Sequence, residues 1–416
     1  MIKNLFHRVK TFVFENFIAG LKSTNKMEKN VSLLYLYIFF IRMNIALPVE
    51  ILFFASLSDS YADAMKIFFI VYITATLLGV PLGLLSDKYG RKKIAMLCAF
   101  CRLMAAILYA VASSYSFLVI GAVFSAFYRF SSPTADTCLY ETLSADNKLD
   151  KYHDCLSKMK SVASFSLSAG ALLCGVFYYF LSLRGVMIVT IIPMLLAFFA
   201  SCFFKEITIC KQTAFNPFKH ILKAFSYFRC NKRLLYFTLA DSTHYGLNEA
   251  SFTLNATFFK TIIPVEFLGV LRFLGHFTAS VTSFLSGKIA KIIGVEGTIA
   301  VGAVCDNFAN VLSLLFANWF SPVLKTVGSG CFGFYSPATG TFLQREISDE
   351  ERATLISFTT LTNMLFYSLG TLLIGQLADL YSPYVAMLIG YTSALILNSL
   401  FIVAFKQKGK VNQSFF

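Results

Sequence analysis

Residues 83–93 read G83-L-L-S-D87-K-Y-G90-R91-K92-K93. The stretch starts at the end of one long apolar segment and stops where the next begins, at Ile94. Asp87 and the basic run Arg91, Lys92 and Lys93 therefore sit in a connection too short to be a domain. Two membrane-spanning helices joined by a tight, charged, glycine-bounded turn is the simplest reading. Everything else in the chain can be placed relative to that turn.

The chain has 416 residues, of which 57% are hydrophobic and only 14% charged, with a mean hydropathy of +0.67. A soluble protein carries about 25% charged residues. Here the apolar residues come in blocks of roughly 20, the length a helix needs to cross about 30 Å of hydrocarbon. The fold class is an all-α polytopic membrane protein. The net charge of +14 has a plainer source than nucleic acid, because the cytoplasmic loops of membrane proteins carry excess Lys and Arg. Cys98 and Cys101 form a C-x-x-C inside an apolar segment with no second pair at zinc spacing, so no metal site is expected. No H-E-x-x-H, G-x-S-x-G or G-x-x-x-x-G-K-[ST] is present. Neither an enzyme nor an ATP-driven pump is expected, and no cofactor.

Twelve spans are predicted, at about 33–57, 64–86, 94–114, 117–141, 158–182, 185–204, 234–258, 265–288, 295–317, 320–344, 353–378 and 383–405. They divide the chain into an amphipathic segment at 1–29, a six-helix bundle at 30–204, a basic linker at 205–233, a second bundle at 234–405 and a tail at 406–416. Apolar positions at helical spacing in 1–29 and 205–233 suit surface helices on an anionic bilayer. Of the 36 Lys and Arg, 28 fall on one side if the N-terminus is cytoplasmic; Lys66, Arg184, Lys260 and Lys325 fall on outer ends. Both termini are therefore placed inside.

A repeat links the halves. Gly83 and Gly90 recur as Gly287 and Gly294, and Ser132-Pro133 recurs as Ser336-Pro337, both shifted by 204 positions. Gly170-Ala-Leu-Leu-Cys-Gly175 answers Gly370-Thr-Leu-Leu-Ile-Gly375. The second copy of the turn has lost its charges, since Lys291 replaces Asp87 and Val295 replaces Arg91. Two six-helix pseudo-repeats follow.

The stretch Gly83–Lys93 resembles the signature loop between helices 2 and 3 of the major facilitator superfamily, G-x-x-x-D-[RK]-x-G-R-[RK]. The resemblance implies that Gly83, Asp87, Gly90, Arg91 and Lys92, with Glu141 of helix 4, latch the molecule during its conformational cycle. Gly83 would let helices 2 and 11 approach closely, as small residues do in membranes. The G-x-x-x-G-P-x-x-G-G pattern of drug antiporters is missing from S164-F-S-L-S-A-G-A-L-L-C-G175. An arginine expected early in helix 4 is replaced near Gly121. Both departures count against a proton–drug antiporter.

Ionisable residues lie deep in the spans: Arg42, Glu50, Arg102, Arg129, Asp136, Asp241, His244, Glu249, Arg272, His276 and Asp306. Each costs about 2.5–3.5 kcal/mol near the bilayer centre unless paired or wetted. Arg102 and Asp306 read equally well as structural ion pairs. In the family, helices 1, 4 and 7 line a polar cavity. Spacings of eight (Arg42 and Glu50, Asp241 and Glu249) and seven (Arg129 and Asp136) would bring each pair to one helix face. Mixed signs favour a polar or zwitterionic solute. A carboxylate moved between water and an apolar wall changes its proton affinity. Glu50 is the first candidate for proton coupling, then Asp136 and Glu249, with His244 as relay. The expected protein is a monomeric, proton-coupled secondary transporter of a small organic solute in the inner membrane, taking up a polar metabolite or exporting an amphipathic one. A non-transporting receptor or assembly protein, or a lipid translocator, would share the fold.

Overall fold

The computed structural model describes residues 26–205, 227–228, 231–347 and 352–407, without the side chains at 26, 27, 80, 87 and 352–354. Most of the expected N-terminal amphipathic segment, most of the 205–233 linker and the end of the 406–416 tail lie outside the described residues, as does the side chain of Asp87.

Fourteen α-helices make up the described chain, with no strand among the described residues. In order they are α1 (Lys26–Arg42), α2 (Glu50–Ser56), α3 (Tyr61–Tyr89), α4 (Arg91–Val111), α5 (Tyr115–Ala126), α6 (Ser131–Ala145) and α7 (Tyr152–Cys202). They continue as α8 (Lys232–Thr253), α9 (Asn255–Phe259), α10 (Leu268–Leu315), α11 (Ser321–Glu346), α12 (Arg352–Leu380), α13 (Pro383–Leu397) and α14 (Ser399–Lys406). Both α7 and α10 contain a chain reversal, at Ser182 (φ 66°) and Gly294 (φ 79°), so each holds two spans. The pairs α1–α2, α5–α6, α8–α9 and α13–α14 are single spans with an interruption. Twelve spans result.

Among the described residues, six helical segments are apolar and long enough to cross a bilayer: Tyr61–Gly79, Arg91–Val111, Leu149–Cys202, Val265–Leu315, Leu355–Leu380 and Pro383–Lys406. With the two reversals they account for eight spans. The four left over are the first, fourth, seventh and tenth, which carry Arg42 and Glu50; Arg129 and Asp136; Asp241, His244 and Glu249; and Lys325. The first falls short because its helix breaks after 17 residues, and polar or small residues lower the hydropathy of the other three.

The chain divides into two compact units, one formed by residues up to Leu47 with Leu77–Ala214, the other by Pro48–Thr76 with Phe215–Phe416. In the first unit, Leu34, Tyr37, Ile38 and Ile41 of α1 pack with Ala135, Leu139, Met159 and Ala197 in an apolar core. The first span is unwound over 43–49, where Pro48 has no N–H to donate. Gly170 of α7 presses on that stretch: a Cβ there would meet the Asn44 carbonyl oxygen at 3.2 Å. The fourth span tightens into a 3-10 turn at Phe127–Phe130. Pro133 cannot bond back to the Arg129 carbonyl, which loosens the ladder at that point.

In the second unit, Phe237 and Phe342 stack at 4.2 Å within a core that includes Tyr335, Ala303 and Phe401. Gly246 of α8 lies against α12, where a Cβ would meet the Phe366 carbonyl carbon and oxygen at 2.7 Å each. Residues 61–76 join this unit through α12. Asp379 accepts from the backbone N–H of Tyr61 (2.7 Å) and Ala62 (3.0 Å), satisfying two orphan donors at the start of α3. A Cβ on Gly375 would sit 2.8 Å from Met65 Cβ. The tightest joint is between α10 and α11. Thr278, Thr282, Ser283 and Ser286 donate to the carbonyls of Thr326, Gly330, Gly333 and Phe334 at 3.2, 2.7, 2.7 and 2.9 Å. Gly333 lets the backbones meet, since a Cβ there would fall 2.3 Å from the Ala279 carbonyl oxygen.

The repeat is written in the backbone as well as the sequence. Gly90 (φ 96°, ψ 154°) and Gly294 (φ 79°, ψ 163°) hold nearly the same left-handed conformation, which a Cβ would disfavour. Gly170 and Gly370 repeat one packing theme, the first against Asn44 and the second against the Gly246 carbonyl oxygen at 2.8 Å.

Candidate functional site

At the signature turn, Arg91 lies 3.4 Å from Glu141 Oε1 and donates to Ser86 Oγ at 2.6 Å. Lys92 is half-buried beside it. A Cβ on Gly83, or on Gly287, would meet nothing within 4 Å. The glycine that brings the second and eleventh spans together is Gly375, against Ala62 and Met65.

The second turn, read from sequence as having lost its charges, has others in their place. Arg233 Nε is 3.0 Å from Glu346 Oε1, and the same guanidinium donates to Glu296 and to the Gln407 carbonyl. Burial pushes the Glu346 carboxyl up from its ordinary value while Arg233 pulls it down. A cavity of about 350 Å³ opens here, between Gly294, Phe342 and Arg345. Sequence comparison missed this cluster because its members do not align with Asp87, Arg91 and Glu141. By sequence, Arg233 is one more charge at the end of the basic linker 205–233.

Within the first unit, Arg42 donates to the Tyr128 hydroxyl at 2.8 Å, and Arg102 donates to Ser125 Oγ at 2.8 Å. Both guanidiniums lie over the Tyr128 ring, at 5.6 and 4.9 Å. Asp136 pairs with Lys160 at 2.5 Å and adds an attractive charge near Arg42. Arg129 occupies the 3-10 turn. The spacing argument for Arg42 with Glu50 fails on the backbone, whereas the 3-10 turn alters the angle between Arg129 and Asp136 by only about 40°. The first pair is separated by the unwound 43–49, and its members fall in different units. The second straddles the change from 3-10 to α geometry.

The second unit holds most of the ionisable residues in two linked groups. Asp241 accepts from the Tyr335 hydroxyl (2.5 Å) and from Asn363 Nδ2 (2.9 Å). One turn on, His244 Nδ1 lies 3.1 Å from Asn398 Oδ1 and 3.0 Å from Asn307 Nδ2. Its Nε2 faces Asp306 Oδ2 at 3.6 Å. Asp306 accepts from Asn248 Nδ2 (2.6 Å) and Asn310 Nδ2 (2.9 Å), and Lys325 Nζ donates to Asn310 Oδ1 (2.6 Å) and to the Tyr391 hydroxyl (3.0 Å). Asn310 thus stands between an acid and a base that are 2% and 5% exposed. Gly328 makes room for it, since a Cβ there would lie 3.1 Å from Asn310 Oδ1.

The other group centres on Arg272, whose charge interacts with Glu249 and Glu50 and with the phenols of Tyr367 and Tyr391. Arg272 and Lys325 share the Phe252 ring, at 4.1 and 4.5 Å. His276, one turn beyond Arg272, feels its charge, and its Nε2 has no partner among the described residues. Glu50 is buried, at 9% exposure. Lys325 belongs to both groups, through Asp306 on one side and Glu249 and Arg272 on the other.

Lys325 was placed by sequence at an outer helix end. It lies one turn inside α11, within the error of any predicted boundary. The amides gave a usable signal: Asp306, Asn307 and Asn310 occupy positions i, i+1 and i+4 of one apolar span, opposite Asn248.

A polytopic bundle of apolar spans with ionisable groups buried among its helices suits a membrane carrier and not an enzyme. Residues 31–365 match the Major Facilitator Superfamily, and the chain belongs to that family of membrane transporters. Among curated proteins no sequence matches it. Solved structures share its fold at low identity. A mutant form of the nucleoside transporter NupG is 15% identical with a TM-score of 0.79, covering 91% of this chain and 100% of that one. A bacterial homologue of the human lysosomal transporter Spinster is 13% identical with a TM-score of 0.71, covering 93% and 98%. A POT family transporter solved with a thioalcohol-conjugated peptide is 10% identical with a TM-score of 0.71, covering 90% and 95%.

Proposed function

We propose that this protein is a secondary active transporter that carries a small polar or zwitterionic solute across the inner membrane by alternating access, in exchange with or together with protons. Both termini are on the cytoplasmic side in this reading. The observation that carries it is the Glu50, Glu249 and Arg272 group beside Phe252 in the second unit. Three ionisable side chains of both signs, held by an apolar wall, suit a solute with a carboxylate for Arg272 and an amine or hydroxyl for Glu50 and Glu249. A solute amine and a proton compete for the same carboxylates, so the one can exchange with the other there. Arg42, Arg129 and Asp136 serve in the first unit as polar contacts along the route. Arg91 with Glu141, together with Asp87, latches the turn.

The test starts from cells lacking the gene, whose metabolites and medium are compared with those of the parent. Solutes that differ are then applied to proteoliposomes containing the full chain. The expected result is proton flux that depends on the solute and falls at least tenfold in Glu50→Gln. Amino acids, nucleosides and organic acids form the control panel, with NupG as the reason to include nucleosides. Failure of every solute to move protons would favour a non-transporting role, and full proton-driven accumulation in Glu50→Gln would remove Glu50 from the mechanism.

A further inference from the structure

We infer that Asp306 is a proton-binding site, and that Lys325 shifts its ammonium between Asp306 and Glu249 as the proton arrives and leaves. The inference rests on the proton-coupled reading above and adds to it a site one layer deeper than Glu50.

Asp306 is closed in by groups that hold it without fixing its charge. Amides occupy both oxygens, from Asn310 and Asn248, and both amides are themselves buried. The approach to Oδ2 that remains is from His244 Nε2 at 3.6 Å. His244 Nδ1 has an acceptor within reach in Asn398 Oδ1 and a donor in Asn307 Nδ2. Nδ1 can therefore be satisfied with or without its hydrogen, which leaves Nε2 free to be either acceptor or donor. A proton on Asp306 Oδ2 and a proton on His244 Nε2 each face a complementary atom across that gap, which at 3.6 Å is wider than a hydrogen bond. Neither state strands a buried polar atom at Nδ1, which is the usual obstacle to protonation in a closed interior.

Lys325 connects this site to the solute group. Its ammonium is drawn by Asp306 and by Glu249 and repelled by Arg272. Uptake of a solvent proton turns the Asp306 carboxylate into a carboxylic acid, and no other bond forms or breaks. The pull of Asp306 on Lys325 then vanishes while that of Glu249 remains. The lysine competes with Arg272 for Glu249, and the group around Phe252 is rearranged. Other ionisable neighbours are Tyr335 and Cys331 on α11, Tyr391 on α13 and Cys305 on α10 itself.

The test uses the full chain in lipid nanodiscs and infrared difference spectra recorded on a step from mildly basic to mildly acidic pH. Protein is grown with aspartate, or separately with glutamate, labelled in the side-chain carboxyl. The expected result is a carboxylic-acid band that moves with the aspartate label, disappears in Asp306→Asn, and survives in Asp136→Asn, Asp241→Asn and Glu50→Gln. Asp306→Glu guards against misfolding: the band must persist and now follow the glutamate label. The glutamate carboxylate signal must change in the same step in the unaltered protein and stay still in Lys325→Gln. A band that persists in Asp306→Asn overturns the site. If that band follows the glutamate label and is lost in Glu50→Gln, the proton-coupled reading stands without Asp306. If no carboxyl titrates in any variant, both fall. A glutamate signal indifferent to Lys325→Gln overturns the exchange.

Discussion

The two units bury charge by different means. In the first, Arg42 and Arg102 meet over the ring of Tyr128 and are held by hydroxyls, while Asp136 is partnered by the half-exposed Lys160. In the second, an acid and a base sit fully inside, joined through Asn310 and flanked by Asn248, His244 and Tyr391. Guanidiniums tolerate a ring and a hydroxyl as neighbours because their charge is spread and weakly hydrated. An ammonium and a carboxylate without water need each other, or an amide to mediate. The first arrangement is open to change one residue at a time, and the second is a unit.

That contrast is broken most sharply by Asp306→Asn. With Asp306 neutral, Lys325 keeps only Glu249 to draw it; unfolding in detergent should lose about 2–3 kcal/mol, and Lys325→Gln in the same chain should restore at least half. Arg102→Gln, which leaves only Ser125 and Tyr128 unserved, should cost about 1–2 kcal/mol. Equal losses in thermal or denaturant melts would erase the distinction.

The two turns give a second comparison. Arg233 is more deeply buried than Arg91 and holds two carboxylates, those of Glu296 and Glu346. Arg233→Ala should therefore destabilise by about 2–3 kcal/mol against about 1 kcal/mol for Arg91→Ala. The pH dependence sharpens it. Because burial raises the Glu346 carboxyl above its ordinary value, its contribution to stability is present below the unfolded value near 4.5. It is lost as pH rises through the folded value. Glu346→Gln should flatten the stability profile across mild acid, and an unchanged profile would show that Arg233 cancels the burial.

The last comparison sets one closely packed glycine of each unit against the other, Gly246 against Gly170. Gly246→Ala drives a methyl into the Phe366 backbone and should cost about 1–3 kcal/mol. Gly170→Ala meets a carbonyl at 3.2 Å beside an unwound segment that can give way, and should cost less than about 1 kcal/mol. The ratio is read directly from melts of the two variants.

Much of this was legible in the sequence for a physical reason: bilayer thickness fixes helix length, so apolar blocks map onto spans with little ambiguity. The turn at Gly90 and its repeat at Gly294 were visible because a left-handed residue all but demands glycine. Glu50, Glu249, Arg272 and His276 were found because charge in an apolar run stands out. Lys325 was lost because charge at a predicted edge does not. Asn248, Asn307 and Asn310 were passed over because amides carry no charge, although a buried amide needs partners as much as an ion does. The unwinding at 43–49 defeated the eight-residue spacing of Arg42 and Glu50, which holds only on an unbroken helix. The Arg233 cluster shows the limit of reading a repeat by alignment, since its members come from other positions.

The four hydroxyl-to-carbonyl bonds between α10 and α11 have a consequence for selectivity. At about 0.6 kcal/mol each, backed by the backbone contact at Gly333, they rule out sliding one helix past the other at low cost. Arg272 rides on one of these helices and Lys325 on the other. The backbone positions that carry the two cations are thus held like the jaws of a fixed-gap gauge, within which only the side chains move. Solutes would be sorted by the separation of their own polar groups before any question of affinity arises.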